Sequence, residues 1–428
     1  VAATCFAAAQ PAQTPNIVIL YADDLGYGDL GCYGHPEIAT PNLDELAAEG
    51  MLFTDAYAGS AVCAPSRASL LSGRSTPRHG VETHKQGSNF ADAEVTIAEV
   101  LKGQGYSTFA AGKWHVGSRN NADEQGFDHW LLTGNNALPS HENPDGFARN
   151  GTSADVTGFS CDIIVDEAIG WLDGLPGNAR GEPDSPVFLY LPFHNPHEPV
   201  ASARQYLDQY AHLDYPFQDY YANVTHLDAA IGRLLDDLED RGMTDNTLVV
   251  FSSDNGPQGL EEYSRAKGQA GTPAHLRAIK ARMYEGGIRV PMIIRWPGQI
   301  PAGSRNYQMV SQVDLAPTVA AITGSELLDE VTIDGVDIRP LFSGGTVSRT
   351  YPLYWSFPPS YTRIDLRIAM RFGDWKLMTD HDFSRWELYH LRSDAGERNN
   401  LAHREPAKLA EMQAIFTAYR NELGLPTP

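Results

Sequence analysis

Four short runs of β-branched, aliphatic and aromatic residues, each ending in a polar cluster, constrain this chain more than any other feature. Ile17 to Tyr21 runs into Asp23-Asp24, and Ser107 to Ala111 into Gly112-Lys113-Trp114-His115. Val187 to Leu191 runs into His194-Asn195-Pro196-His197, and Leu248 to Phe251 into Asp254-Asn255. Helical patterns lie between them. Pro41 to Glu49 is a helix with Thr40 as its cap and Gly50 at its end. Val95 to Lys102 is a second helix. From Tyr220 to Arg241 the residues Val224, Leu227, Ile231, Leu234, Leu235 and Leu238 keep helical spacing, and Gly242 stops the pattern. Strands alternating with helices predict a mostly parallel sheet with crossover helices. Ligands of such sheets bind beyond the carboxyl ends of the strands, so the four clusters are expected along one edge.

The pattern changes after Leu341. Ser343-Gly-Gly345 is a break, and Ile368 to Arg371 and Trp375 to Met378 flank Phe372-Gly-Asp374 as a hairpin. Glu387 to Leu391 is a further strand, and Glu405 to Leu423 an amphipathic helix. The expected organisation is a large α/β domain over residues 15–345 and a small C-terminal α+β domain with an antiparallel sheet over 346–428. Residues 1–14 read as the remnant of a signal peptide, because Ala7 and Ala9 have the small-residue pattern of a cleavage site. This places the chain in a secreted or periplasmic setting. No apolar run approaches the roughly 18 residues needed to span a bilayer, so no membrane span is expected. Asn150-Gly-Thr152 and Asn223-Val-Thr225 match the glycosylation sequon.

Acidic residues outnumber basic ones, 54 to 32, for a net charge of −22. That balance excludes a nucleic-acid binder, which needs basic surface to neutralise phosphates. It leaves room for an anionic substrate in a locally basic pocket. The four cysteines, Cys5, Cys32, Cys63 and Cys161, are too few for a disulfide framework and lack zinc-site spacing. Asp23, Asp24, Asp254 and Asn255 offer only hard oxygen ligands. Brought together without a cation, the three carboxylates would repel and protonate. Ca²⁺ resolves the conflict, Mg²⁺ being the other candidate, with Ca²⁺ favoured above six ligands. Each pair taken alone also reads as a helix cap or a turn.

The most informative segment is Cys63-Ala-Pro-Ser-Arg67, continuing Ala-Ser-Leu-Leu-Ser-Gly-Arg74. Pro65 suits the first turn of a helix and Gly73 its end, which sets Cys63 at a helix N-terminus where free N–H groups favour an anion. A buried inert thiol is the plainer reading of a lone cysteine.

This segment closely resembles the signature of the type I, formylglycine-dependent sulfatases, of the arylsulfatase family in the alkaline-phosphatase superfamily. The resemblance covers nearly the whole chain. Pro15 to Asp29 looks like the family's opening strand and metal loop. Gly112-Lys-Trp-His115, the His-x-Pro-His of 194–197, Asp254-Asn-Gly256 and Tyr284-Glu-Gly-Gly-Ile-Arg-Val-Pro291 follow in order. Trp386 to Leu391 with Asn400-Leu-Ala402 resembles the end of the family's small domain. The implied fold is an alkaline-phosphatase-like central sheet, mixed but mostly parallel, with helices on both faces.

The resemblance implies a sulfatase that hydrolyses sulfate esters, on a sulfated carbohydrate or an aryl sulfate. Cys63 would be oxidised to formylglycine by a maturation enzyme, and the hydrated aldehyde would attack sulfur and form a covalent sulfo-enzyme intermediate. The implied metal ligands are Asp23, Asp24, Asp254 and Asn255, with residue 63 itself. Asp254 would also accept a proton, and Arg67 would orient the nucleophile. Lys113 and Lys280 would hold the sulfate oxygens, with Lys267 and Arg282 as rivals for the place of Lys280. His115 would assist sulfate release, and His197 would protonate or hydrogen-bond the leaving oxygen. His194 is a supporting or substrate-binding group, while Arg78 and His79 are structural. Trp355, Phe357 and Tyr361 line a sugar subsite or belong to the core, core being the reading for Trp355.

Two alternatives stand beside this. One is a formylglycine-dependent phosphonate or phosphodiester hydrolase of the same superfamily, since both reactions handle tetrahedral oxyanions. The other is a silent, calcium-bound glycan-binding protein, which would require the loss of groups that are all present.

Overall fold

The four apolar runs become four adjacent strands. The computed structural model describes residues 14–428 except 86–89, 92, 119–121, 135, 178–182, 260–268, 327 and 362–365. The terminal run with Ala7, Ala9 and Cys5, and the rival Lys267, therefore lie outside the described residues. In chain order the strands begin β1 (Asn16–Ala22), β2 (Met51–Phe53), β3 (Ala56–Tyr57) and β4 (Ser107–Lys113). Next come β5 (His129–Thr133), β6 (Phe147–Arg149), β7 (Thr152–Ser153), β8 (Val187–Pro192) and β9 (Thr247–Ser253). They continue with β10 (Met292–Arg295), β11 (Ser304–Asn306) and β12 (Val310–Ser311). The last are β13 (Leu353–Ser356), β14 (Ile368–Phe372), β15 (Trp375–Thr379) and β16 (Trp386–His390).

The large sheet runs β11-β2-β10-β9-β1-β8-β4-β5-β6-β7. The stretch β9-β1-β8-β4-β5 is parallel throughout, and antiparallel pairs flank it on both sides. Ala22 lies opposite Ser253 and Tyr21 opposite Pro192, so β9, β1 and β8 end level. Every residue of β1 is buried because both faces are covered. Ile17, Ile19 and Tyr21 face one core with helices Cys63–Ser72, Ile97–Gly103 and Leu315–Thr323. Val18, Leu20 and Ala22 face another with Pro41–Glu49, Ser160–Gly174 and Phe217–Asp240. The observed fold is thus a mixed, mostly parallel sheet with helices on both faces.

The second sheet is an antiparallel meander, β13-β14-β15-β16, with Phe372 paired to Trp375 across the expected Gly373-Asp374 turn. Its alternate residues serve two cores. Tyr354, Ile368, Met370, Leu377 and Leu388 pack on Met412, Phe416 and Tyr419 of helix Pro406–Glu422. Trp355, Ala369, Met378 and Tyr389 pack on Tyr57, Ala61 and Val62, the segment that leads into Cys63. Among the described residues no helix is long and apolar enough to cross a membrane.

Two expectations are corrected. Thr40 precedes helix Pro41–Glu49 but does not cap it, its hydroxyl being used by the Gly31 N–H at 2.9 Å and Asp44 at 3.1 Å. The cap comes from Asp228 on the long helix, which accepts the N–H groups of Asn42 (3.2 Å) and Leu43 (2.8 Å). The Asn223 sequon lies inside that same helix with the asparagine fully buried, whereas Asn150 sits on an exposed turn.

Burial pushes the Asp228 carboxyl up to about 6. A raised native pKa means the native state binds the proton more tightly than the unfolded chain. This group's contribution to stability therefore falls as pH rises from about 4 to about 6. Asp228→Ala is expected to cost about 1–2 kcal/mol as a lost cap, read from urea midpoints at pH 7. In Asp228→Asn the stability change between pH 4 and 6 should lose the part that this carboxyl contributes.

Candidate active site

Three carboxylates and three cations meet where the parallel strands end. Asp23 and Asp24 follow β1, Asp254 follows β9, and Lys113 closes β4. Asp23, Asp24, Asp254, Arg67 and Lys113 are all fully buried. Lys113 Nζ donates to Asp23 Oδ2 at 2.6 Å, and Lys280 Nζ to Asp24 at 2.6 Å. Arg67 donates through Nε (3.1 Å) and Nη2 (2.6 Å) to Asp254 Oδ2, and through Nη1 to the Lys113 carbonyl at 3.0 Å. Buried charges persist only when paired in this way. Burial alone would raise Asp24, but Lys280, His197 and Lys113 outweigh it and hold the carboxyl at about 2. Burial and the neighbouring Asp23 instead push Asp254 up to about 6.

The backbone is bent to make these contacts. Asp24 and His115 adopt left-handed conformations at φ 66° and 56°, unusual outside glycine and found at strained functional positions. Gly112, at φ 126°, lets β4 approach β8, since a Cβ there would stand 2.0 Å from the Pro192 carbonyl oxygen.

Cys63 opens helix Cys63–Ser72 after the extended Val62, and Gly73 at φ 71° ends it. The expected helix N-terminus is therefore present. The thiol is buried, and burial pushes its pKa up to about 12, so the unmodified side chain is a protonated, unreactive thiol. Among the described residues no disulfide forms.

Ligand atoms of Asp23, Asp24, Cys63 and His197 lie within 4.8 Å of one another. Asp254 and Asn255 flank them, through Asp254 Oδ1 on the Asp24 N–H (3.1 Å) and Asn255 Nδ2 on Asp24 Oδ1 (2.7 Å). Asp23 Oδ1 and Asn255 Oδ1 are buried oxygens with no hydrogen-bond donor. His197 Nδ1 donates to the Glu198 carbonyl at 2.8 Å, so Nε2 is the nitrogen left to face Asp24 Oδ2 at 3.6 Å. In a neutral ring this would oppose two lone pairs. Orphaned hard oxygens and an opposed nitrogen–carboxylate pair fit an oxygen-seeking divalent cation.

A cavity of about 310 Å³ opens over this cluster. Its wall includes Cys63, His197 and Lys280, as expected, together with His84, Glu198 and Tyr361. Of the three aromatic candidates, Tyr361 lines the cavity, stacked on a buried Phe357 at 4.3 Å, while Trp355 is core and donates to the Ala58 carbonyl. His115 lies beside this wall, with Nε2 on the His84 carbonyl at 2.8 Å. His194 is placed deeper, with Nε2 on Thr133 Oγ1 at 3.0 Å and Phe147 against its ring. Arg78 and His79 make structural contacts, to Asp334 (2.8 Å) and Ser69 (2.9 Å).

Sequence reasoning missed Gln312. Its carbonyl oxygen accepts from Tyr21 (2.5 Å), Ser66 (3.0 Å) and the Gly59 N–H (3.3 Å). Its amide donates to the Ser253 carbonyl at 2.6 Å and Ser252 at 3.1 Å. One side chain thus locks β1, the helix that carries Cys63 and Arg67, and the strand that carries Asp254. A single glutamine in an unremarkable segment gives no sequence signal.

The chain is similar to known proteins over most of its length. Residues 15–325 match the family described as Sulfatase, and 278–422 match the C-terminal region of N-sulphoglucosamine sulphohydrolase. The chain is 37% identical to human arylsulfatase A over 399 residues, covering 85% of this chain and 75% of that protein. It is 32% identical to N-acetylgalactosamine-6-sulfatase of Canis lupus familiaris over 400 residues, covering 86% and 72%. The solved structure of Ps i-CgsB in complex with k-i-k-neocarrahexaose superposes with a TM-score of 0.82 at 29% identity, covering 95% of this chain and 93% of that one.

Gln312→Leu keeps the volume and strands several buried donors and acceptors. It is expected to cost about 2–4 kcal/mol, as buried unsatisfied polar groups do, visible as a lower urea midpoint. Gln312→Glu, which keeps the acceptor and loses the donor, should lie between.

Proposed function

The chain belongs to the sulfatase family and hydrolyses sulfate esters, and we propose that it does so at residue 63 with the strand-end cluster as its catalytic machinery. The observation that carries the proposal is the convergence of Cys63, Lys280 and His197 in one cavity wall above Asp23 and Asp24. The family generally uses formylglycine and a divalent metal. When present, the hydrated formylglycine of residue 63 supplies the nucleophilic oxygen, and the cation, read as Ca²⁺, stabilises negative charge beside it. Asp23, Asp24, Asp254, Asn255 and residue 63 would hold that cation.

The remaining groups act around the bound ester. Lys280 lines the cavity on Asp24, and Lys113 lies buried behind it on Asp23; both would hold sulfate oxygens once those carboxylates are taken up by a cation. Arg67 is fixed by Asp254 and the Lys113 carbonyl, so it can orient the nucleophile without moving. Asp254, held higher than Asp24, is suited to accept a proton. His115 would assist sulfate release; its contact with the His84 carbonyl beside the cavity supports this reading. His197, on the cavity wall with Nδ1–H held by the Glu198 carbonyl, would act as the imidazolium, its Nε2–H hydrogen-bonding or protonating the departing ester oxygen as the S–O bond breaks.

We read residues 15–345 as the catalytic unit and 346–428 as a brace, because the large sheet ends at Asn306 and the meander begins at Leu353. A sulfated carbohydrate is the proposed substrate class. The polar and aromatic wall of Glu198, His84 and Tyr361 supports this, as do relatives named for N-acetylgalactosamine-6-sulfate chemistry and a neighbour solved with neocarrahexaose. A secreted or periplasmic location and a separate maturation enzyme for Cys63 belong to the same proposal.

The test uses protein whose residue 63 has been identified by mass spectrometry. Turnover of an aryl sulfate is expected to exceed that of an aryl phosphate diester, and the reverse order would overturn the sulfatase mechanism. Cys63→Ala should abolish turnover. Lys113→Ala and Lys280→Ala should each lower kcat/KM by about 100-fold or more, the usual cost of removing one oxyanion-stabilising group. Chelation should lower activity and melting temperature together, with Ca²⁺ restoring both.

A further inference from the structure

Beneath the histidine loop lies a buried side chain that the mechanism above does not use. His141 is 1% exposed and sits between β5 and β6. Its carbonyl accepts from the Ser160 N–H at 2.8 Å, which fixes its backbone to the start of helix Ser160–Gly174. Its ring then makes two contacts. Nδ1 meets Ser160 Oγ at 2.7 Å, and Nε2 meets the His197 carbonyl oxygen at 2.7 Å. A carbonyl only accepts, so Nε2 carries the proton. Burial keeps the ring neutral, at about 4, which leaves Nδ1 to accept from Ser160.

The contact is part of a wider lattice under residues 194–202. Ser160 Oγ also lies 3.1 Å from Asn195 Oδ1, a contact that shares its single proton with the shorter bond to His141, and Asn195 Nδ2 donates to Asn223 Oδ1 at 3.0 Å. Asn223 in turn donates to the Ala201 carbonyl at 2.9 Å. Within this lattice His141 grips residue 197 itself, whose own N–H donates to the His194 carbonyl at 2.8 Å. His197 uses its own Nδ1 on the Glu198 carbonyl, so the two imidazoles and one peptide form a relay that aims Nε2 of His197 at the cavity.

We propose that His141 is a positioning residue for leaving-group departure, acting through its Nε2–H bond to the His197 carbonyl. The proposal rests on the reading of His197 as the partner of the departing oxygen. When the S–O bond breaks, its electron pair stays on the ester oxygen; Nδ1–H of His197 stays on the Glu198 carbonyl, so His197 must enter the step as the imidazolium, whose Nε2–H passes to that oxygen and leaves the neutral ring. Loosening residue 197 by a fraction of an ångström degrades that transfer and leaves attack on sulfur untouched. An acidic phenol leaves without help, whereas a basic one does not.

Substituted phenyl sulfates graded from 4-nitrophenyl to 4-methoxyphenyl test this on the matured enzyme. His197→Ala should lose about 100-fold or more in kcat/KM on the methoxyphenyl ester and under about 10-fold on the nitrophenyl ester, as loss of general-acid help predicts. His141→Ala should show the same selectivity at smaller size, about 10-fold against less than 3-fold. His141→Gln, whose amide can again donate to the carbonyl, should recover most of the difference. Should His141→Ala fold poorly by melting temperature, Ser160→Ala, which removes the partner of Nδ1, carries the comparison. Equal losses on all esters in the His141 and Ser160 variants, with His197→Ala selective, would overturn the positioning role. An unselective His197→Ala would overturn the reading of His197, and the proposal with it.

Discussion

The structure depends on keeping six ionised side chains out of water at one sheet edge. Asp23, Asp24 and Asp254 face Arg67, Lys113 and Lys280, and all but the last are fully buried. Desolvating each ion costs several kcal/mol, and only close pairing offsets that. The pairing holds because five of the six members sit in or directly beyond regular elements, Lys280 alone coming from a loop. The carboxylates leave parallel strands at matched register, Lys113 is still within β4, and Arg67 lies in the first turns of a helix. The three charges of each sign balance. A dication and a singly charged sulfate ester would then leave one positive charge, which favours an ionised nucleophile at residue 63.

The strand-end chemistry was legible in the sequence because each strand of the central stretch is short, apolar on both faces and stopped by polar residues. Periodicity located β1, β4, β8 and β9, but only the fold reveals that they are consecutive in the order β9-β1-β8-β4. Their adjacency turns four separate clusters into one site. The supporting contacts were not legible. Asp228 caps a helix that begins at Pro41, Gln312 ties elements that lie 59 to 291 residues from it along the chain, and His141 grips a carbonyl rather than a side chain. Such residues leave no local pattern, because their partners are backbone atoms or distant in the chain. Thr40 shows the opposite failure, a correct local signal overridden by a tertiary partner.

The C-terminal meander participates in the site by packing rather than by chemistry. Trp355 donates to the Ala58 carbonyl, and its neighbours cover Tyr57 and Val62 immediately before Cys63. Buried Lys376 bridges Glu285 at 3.0 Å and Glu397 at 2.9 Å, and Glu285 also accepts from Tyr57 at 2.5 Å. An ion network of this kind adds little net stability compared with apolar packing, but breaking one member is costly. It therefore ties the meander to Tyr57 and to the helix Glu285–Ile288. Residues 57–62 lead directly into the helix that begins at Cys63, so this packing bears on where that helix starts.

A net charge of −22 would seem to repel an anionic ester, yet the two facts operate at different ranges. Surface carboxylates are screened over about 8 Å at physiological ionic strength. Arg67, Lys113 and Lys280 act inside a cavity walled by protein, where the effective dielectric is lower and each charge counts for several times more. Their carboxylate partners prevent them from attracting anions indiscriminately. Paired in this way the three cations present little free positive charge, so on the proposed reading a cation that takes up those carboxylates would also free Arg67, Lys113 and Lys280 to face an anion.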